Sequence, residues 1–335
     1  MKTNFKKIMC CLLSLVLVFG TMTTVGAVSV CASEVEAVEI SDTSSSSIFG
    51  SDILNEVIYM ITEIFEKIRC LFTNEEYVEI TKTSFECNRD GLTIRGTEYR
   101  PAGENLPIAV VSHGFMANNM TVVQYAKLLA RMGYAAYCFD FCGGCVLMGQ
   151  SDGATTDMSV ITETKDLKAV IDYACGLSYT DESNITLMGC SQGGFVSSLV
   201  AAELDKKISN LILFYPAFSI PDDARKGKMM FAEFDPANIP ETIDCGPMKL
   251  GRCYVADVIE LNPFEEIVSY SGDVLIVHGT DDNIVDVSYA ERAYEAYSSR
   301  RCDGQTELQI IDGAGHMFMS KYDKIAQNYL KNFLN

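Results

Sequence analysis

Ser191 stands in "GCSQGG", residues 189–194, with a glycine two places before it and another two places after. A serine hydroxyl becomes a nucleophile when a nearby base takes its proton and a carboxylate steadies that base. The flanking residues say how such a serine would be held. Ile185, Leu187 and Met188 form a short apolar run suited to a buried strand, and from Phe195 onward Phe195, Leu199 and Ala202 fall on one helical face. The chain must turn from strand to helix in between, with Ser191 at the apex. Gly189 and Gly193 remove the side chains that would collide where the two elements close on each other. The expectation is a hydroxyl on a strained backbone, exposed above a sheet.

The chain has three histidines to serve as base. His113 ends the apolar run of "IAVVSHGF", His278 ends that of "DVLIVHGTDD", and His316 lies in the glycine-flexed loop of "LQIIDGAGHMF". Candidate acids are Asp281, Asp282 and Asp286, in the loop between "VLIVHG" and the helical "SYAERAYEAY". Asp286 sits where a carboxylate meets the free N–H groups of the following helix, which makes it a cap. The other two stay open on these grounds.

Four motifs occur in a telling order: "VVSHGF", "GCSQGG", "HGTDDNIV" and a final "GAGH". Together they resemble the α/β-hydrolase superfamily, and within it they are most similar to bacterial cinnamoyl (feruloyl) esterases. The resemblance covers roughly residues 75–335 and takes in "CFDFCGG" and "SDGATTDMSVITETKDLKAVIDY" as well. It departs at Cys190, where these esterases often carry a histidine. The resemblance implies a triad in the chain order serine, acid, histidine. That order assigns the base to His316 and leaves His278 as a prop for the loop after its strand. The family's loop pattern H-G-x-x-D-x-x-V assigns the acid to Asp282, with Asp281 as the alternative. The oxyanion hole would be the backbone N–H groups of Phe115 and Gln192. The implied activity is hydrolysis of carboxylic esters through an acyl-enzyme, on hydroxycinnamoyl-type or other small neutral esters, with no cofactor and no metal. Two alternatives stand beside it. One is a serine aminopeptidase or acyl-peptide hydrolase, which needs an anchor for a substrate ammonium group. The other is a hydrolase-fold ligand-binding protein without turnover, which would be expected to lack a triad member.

The elements that must position these residues begin after a leader. Lys2, Lys6 and Lys7 precede an uncharged apolar run from Ile8 to Phe19, and small residues follow, so 1–32 reads as a secretory signal peptide. An uncleaved membrane anchor is the alternative. A cut after Ala32 takes away three lysines and no acid, so the net charge of −19 becomes −22. Such a surface repels phosphate backbones, which excludes nucleic acid as a partner. Of thirteen cysteines the same cut leaves ten, and Cys138 and Cys175, in apolar contexts, read as buried thiols. Cys142 and Cys145 form "CGGC" without the helix opening of a redox motif or the second ligand pair of a zinc site, and read as incidental loop thiols.

Residues 33–47 form an acidic, serine-rich linker, and 48–72 show the periodicity of an amphipathic helix. Docking on the catalytic domain is the expected use of that helix, and a homodimer contact is another. From 75 onward strand-like and helix-like runs alternate, and the Val/Ile/Leu-rich strands predict a mostly parallel sheet covered on both faces. Ligands bind beyond the carboxyl ends of such strands. About 219–265 interrupts the alternation as a cap insertion, with "KMMFAEFDP" expected as a strand and "GRCYVADVIEL" as a helix. Met229, Met230, Phe231 and Met248 would either roof the site or pack the cap.

Overall fold

A two-residue turn opens the sheet. Asp90 and Gly91 have φ of 54° and 88°, the pair of positive values a tight hairpin requires. They join β1 (Ile80–Arg89) to β2 (Leu92–Pro101). The chain continues through β3 (Leu106–Ser112), β4 (Ala135–Phe139), β5 (Thr180–Cys190) and β6 (Ile208–Phe214). Four short strands follow in the insertion: β7 (Lys228–Met229), β8 (Ala232–Glu233), β9 (Thr242–Cys245) and β10 (Met248–Gly251). Last come β11 (Asp273–Gly279) and β12 (Thr306–Ile311).

The computed structural model describes residues 76–335 together with Glu63, Ile64, Lys67, Ile68, Cys70, Leu71 and Phe72. The chain divides into two units, Met1–Asn74 and Glu75–Asn335. The described residues of the first unit are helical. The rest of the helix expected over 48–72, the linker and the leader lie outside the described residues. No helix among the described residues is long and apolar enough to cross a membrane.

In the second unit the eight long strands form one sheet in the order β1-β2-β4-β3-β5-β6-β11-β12. β2 is antiparallel to both β1 and β4, and every other neighbouring pair is parallel. This is the expected mostly parallel sheet, antiparallel only where β2 meets β1 and β4. All five residues of β4 are buried, as are six of the seven in β11. Such near-continuous burial follows from helices on both faces, here Val123–Arg131, Val160–Cys175, Gln192–Leu204, Ser288–Ser298 and Lys321–Leu334. Ser159 and Thr162 start the second of these with a reciprocal capping box.

The insertion departs from the expectation in detail. "KMMFAEFDP" is not one strand but the hairpin β7–β8, turning at Met230 with φ of 49°. "GRCYVADVIEL" is helical only over Arg252–Ala256. Met229 and Met248 are buried with the main core, whereas Met230 and Phe231 are exposed at the hairpin tip. The insertion is sewn to the segment before helix Val160–Cys175. Ser159 Oγ donates to Asp257 Oδ2 at 2.5 Å, and a side chain on Gly251 would strike the carbonyl of Thr156 at 1.9 Å. All ten described cysteines are free thiols. Cys138 is buried as expected, while Cys175 is only partly so.

Candidate active site

Ser191 lies between the end of β5 and the start of helix Gln192–Leu204, with φ 54° and ψ −121°. A non-glycine residue held there is strained, and its neighbours hold it. Its N–H donates to the carbonyl of Phe214 at 2.9 Å, and its own carbonyl accepts from Ala217 N–H at 2.9 Å. The glycines allow this closeness. A Cβ on Gly189 would lie 2.2 Å from the carbonyl oxygen of Gly193, and one on Gly193 would lie 2.3 Å from that of His113. Neither gap admits a side chain.

His316 and Asp282 meet this serine. His316 Nε2 lies 3.0 Å from Ser191 Oγ, and Nδ1 lies 2.7 Å from Asp282 Oδ2. The other carboxylate oxygen, Oδ1, accepts from the backbone N–H groups of Ile284 and Val285, both at 2.9 Å. The Asp282 side chain is wholly buried. Burial opposes its charge, but the bonds from His278, His316 and Val285 outweigh that cost and hold its carboxyl well below the usual range. Tyr215, itself at φ 39°, lays its ring against His316 with centroids 4.7 Å apart, and Phe318 backs Tyr215 edge-on at 4.8 Å.

The remaining candidates sit elsewhere. The Asp281 carboxylate turns to Thr280 Oγ1 at 3.3 Å. Asp286 accepts from Ser288 N–H at 3.0 Å, the expected place at a helix start. The two ring nitrogens of His113 are both engaged. Nδ1 faces the carbonyl of Gly114 at 2.8 Å, and Nε2 accepts from Phe141 N–H at 3.2 Å. Burial lowers the pKa of His113 and keeps it neutral. His113, Asp140 and Cys145 come within 4.8 Å of one another. Asp140 already accepts from Asn119 N–H at 2.7 Å and Gln150 N–H at 2.8 Å, so the group braces two loops.

Gly114 packs directly on the serine, since a Cβ there would come within 3.0 Å of Ser191 Cβ. The next residue, Phe115, therefore begins beside the hydroxyl, and Gln192 follows Ser191 at the first helical position. The first N–H groups of a helix have no partner within it. Both expected oxyanion donors thus come from segments that adjoin Ser191.

Three contributions escape the motif pattern. Tyr254, from the insertion, donates its hydroxyl to Gln192 Oε1 and rests its ring 5.5 Å from that of Phe115. Gln192 Nε2 in turn donates to Glu163 Oε2 at 2.8 Å. Burial pushes the Glu163 carboxyl well above the ordinary range, only partly offset by that bond. His278 does more than prop its loop, for Nε2 lies 2.9 Å from the Val285 carbonyl and 3.1 Å from Asp282 Oδ2.

Comparison with known proteins agrees with this architecture. A family model described as serine aminopeptidase, S33, matches residues 103–242. Est1E from Butyrivibrio proteoclasticus, in a structure with ferulic acid bound, superposes with a TM-score of 0.67 at 27% identity, over 75% of this chain and 99% of that one. The α/β-hydrolase GrgF from Penicillium sp. sh18 gives 0.59 at 19% identity, over 76% and 98%, a likeness of fold. In sequence, the uncharacterised protein YcjY of Escherichia coli (strain K12) is 34% identical over 102 residues, 30% of this chain and 31% of that one. The monoglyceride lipase of Rattus norvegicus is 28% identical over 200 residues, 57% and 59%. These matches take in less than two thirds of either relative. The chain has the α/β-hydrolase fold. Est1E with its ferulic acid bears out the resemblance to cinnamoyl esterases read from the motifs.

Proposed function

We propose that this α/β-hydrolase is an exported serine carboxylic-ester hydrolase working through Ser191, His316 and Asp282. The observation that carries the reading is the continuous contact from Ser191 Oγ to His316 Nε2 at 3.0 Å and from Nδ1 to Asp282 Oδ2 at 2.7 Å. Ser191 Oγ attacks the ester carbonyl carbon while its proton passes to His316 Nε2. The negative charge that develops on the carbonyl oxygen is met by the N–H groups of Phe115 and Gln192. His316 then gives the proton to the departing alcohol, leaving an acyl group on Ser191. A water repeats the sequence, losing its proton to His316 as it attacks the acyl carbon, and Ser191 recovers a proton as the acid leaves. Asp282 keeps Nδ1 protonated and stabilises the imidazolium throughout.

For the acyl group, ferulic acid on the similar Est1E supports hydroxycinnamoyl or related aryl-acyl esters. Burying a phenyl-sized group would gain a few kcal/mol at about 25 cal/mol per Å². Acetyl esters should then be poorer by roughly 10-fold or more in kcat/KM. The aminopeptidase description of the matching family model favours a second reading, action on aminoacyl amides. A panel of acetyl, butyryl and feruloyl esters of one common alcohol, run beside an aminoacyl amide, decides between them. Preference for feruloyl over acetyl is expected. Preference for the aminoacyl amide would replace the esterase reading, and preference for acetyl would remove the aryl-acyl one.

A further inference from the structure

His278 is wholly buried at the carboxyl end of β11, and its Nε2 faces two groups that can only accept. These are the Val285 carbonyl at 2.9 Å and the Asp282 carboxylate oxygen Oδ2 at 3.1 Å. Nε2 must therefore carry a hydrogen, shared between them. Nδ1 of the same ring is buried with no hydrogen-bond partner among the described residues. A proton on Nδ1 would add a charged, unsatisfied donor in the core, the costliest arrangement open to the ring. The hydrogen of the His278 ring is thus held at Nε2. Asp282 Oδ2 is then approached by two imidazole N–H groups, from His278 and His316, while Oδ1 takes two backbone N–H groups. Four donors fill the acceptor capacity of one carboxylate.

We propose that His278 is a positioning residue of the proton relay: its Nε2–H pins the Asp282 carboxylate so that Oδ2 faces His316, and by sharing that oxygen moderates the charge His316 experiences. The proposal rests on the reading of Ser191, His316 and Asp282 as a triad. A donor drawn off Oδ2 leaves a stronger acceptor for His316 Nδ1–H, which favours the imidazolium. Other ionisable groups surround the pair. Asp286 lies further along the same loop and feels His278 and Asp282. Asp281 and Asp312 meet at Thr280. On the β6 side Tyr215 lies on the His316 ring, with Cys190, Tyr125 and Asp323 behind it. Replacing residue 278 leaves these side chains in the protein, and Asp286 loses its histidine neighbour in His278→Leu and His278→Gln alike, so a shift of the pH profile confined to His278→Leu reports the lost Nε2–H.

The test compares His278→Leu, which removes the donor, with His278→Gln, whose amide nitrogen reaches the place of Nε2. For His278→Leu, kcat should fall by about 10- to 100-fold, the loss seen when the partner that orients a metal-binding histidine or carboxylate is removed, carried over here to the Asp282 carboxylate. The acidic limb of kcat/KM should move to higher pH. For His278→Gln both should stay close to wild type. An unchanged profile and rate in folded His278→Leu overturns the proposal, as does equal damage in both folded variants. The wild-type protein gives a check that needs no variant to fold. With only three histidines in the chain, ¹⁵N-histidine spectra at neutral pH should show the His278 hydrogen on Nε2 and a bare Nδ1. A His278 whose hydrogen sits on Nδ1 and not on Nε2 also overturns it. Ser191→Ala measured alongside separates the two failures. If that variant keeps its activity the triad reading itself falls, whereas if it is inactive and His278→Leu is not, only the role of His278 does.

Discussion

At the residue scale, the choice between Asp281 and Asp282 is one of direction. The two are adjacent, yet Asp282 points inward to two histidines and two backbone N–H groups, while Asp281 points to Thr280 at the surface. Asp282→Asn should lower kcat by about 10⁴-fold, because the amide offers His316 the wrong hydrogen-bond partner and tautomer. Asp281→Asn should stay within a few-fold of wild type by the same reasoning, since its carboxylate touches no relay member. Steady-state kinetics on one ester settles the ranking, and the reverse order would move the acid role by one residue. Ser191 was legible from the glycines around it, whereas the motif order and loop pattern of the resembled family singled out His316 and Asp282 among candidates that local pattern left open. The second contact of His278 was not legible. A histidine that ends a buried strand looks the same in sequence whether its ring meets a carbonyl, a carboxylate or both.

At the scale of elements, most of the alternation could be read, because period and turn chemistry are local. The boundaries that moved have physical causes. β5 begins at Thr180, five residues before its apolar run, because residues 180–184 form a polar extension with exposed Glu182 and Ser183. Strands β7 and β8, two residues each, are too short to show a period. Nor does periodicity reveal that Tyr254 would reach Gln192, 62 residues away. That contact carries a prediction. Tyr254→Phe removes one hydrogen bond to the Gln192 side chain while keeping the ring against Phe115, so the N–H of Gln192 loses part of its support. A bond worth about 1 kcal/mol corresponds to a loss of roughly 5-fold in kcat. KM should change less, because the strain is felt most where the oxyanion develops. Rates across several esters check this, and a loss confined to KM would assign Tyr254 to substrate binding instead.

At the scale of the whole molecule, a buried acid beside the site should leave its mark on stability. Burial raises the folded-state pKa of Glu163. Above the ordinary glutamate value of about 4.3 the unfolded chain releases a proton that the folded protein retains. Rising pH therefore favours unfolding over that window. Glu163→Gln keeps an acceptor for Gln192 and removes the titration, so its stability advantage over wild type should grow between pH 4 and pH 8. Urea denaturation at those two pH values measures it, and a pH-independent difference would contradict a buried, protonated Glu163. Asp282 works in the opposite sense, since its depressed value contributes stability above the ordinary carboxylate range that is lost on acidification. The whole architecture converges on one hydroxyl, and the most direct measurement asks whether that hydroxyl reacts. Treatment with a fluorophosphonate, followed by peptide mapping, should place a single covalent adduct on Ser191. Ser191→Ala should take up no probe and lose at least ~10³-fold in kcat while remaining folded. Labelling at another residue, with ester hydrolysis retained in Ser191→Ala, would contradict the account at its centre.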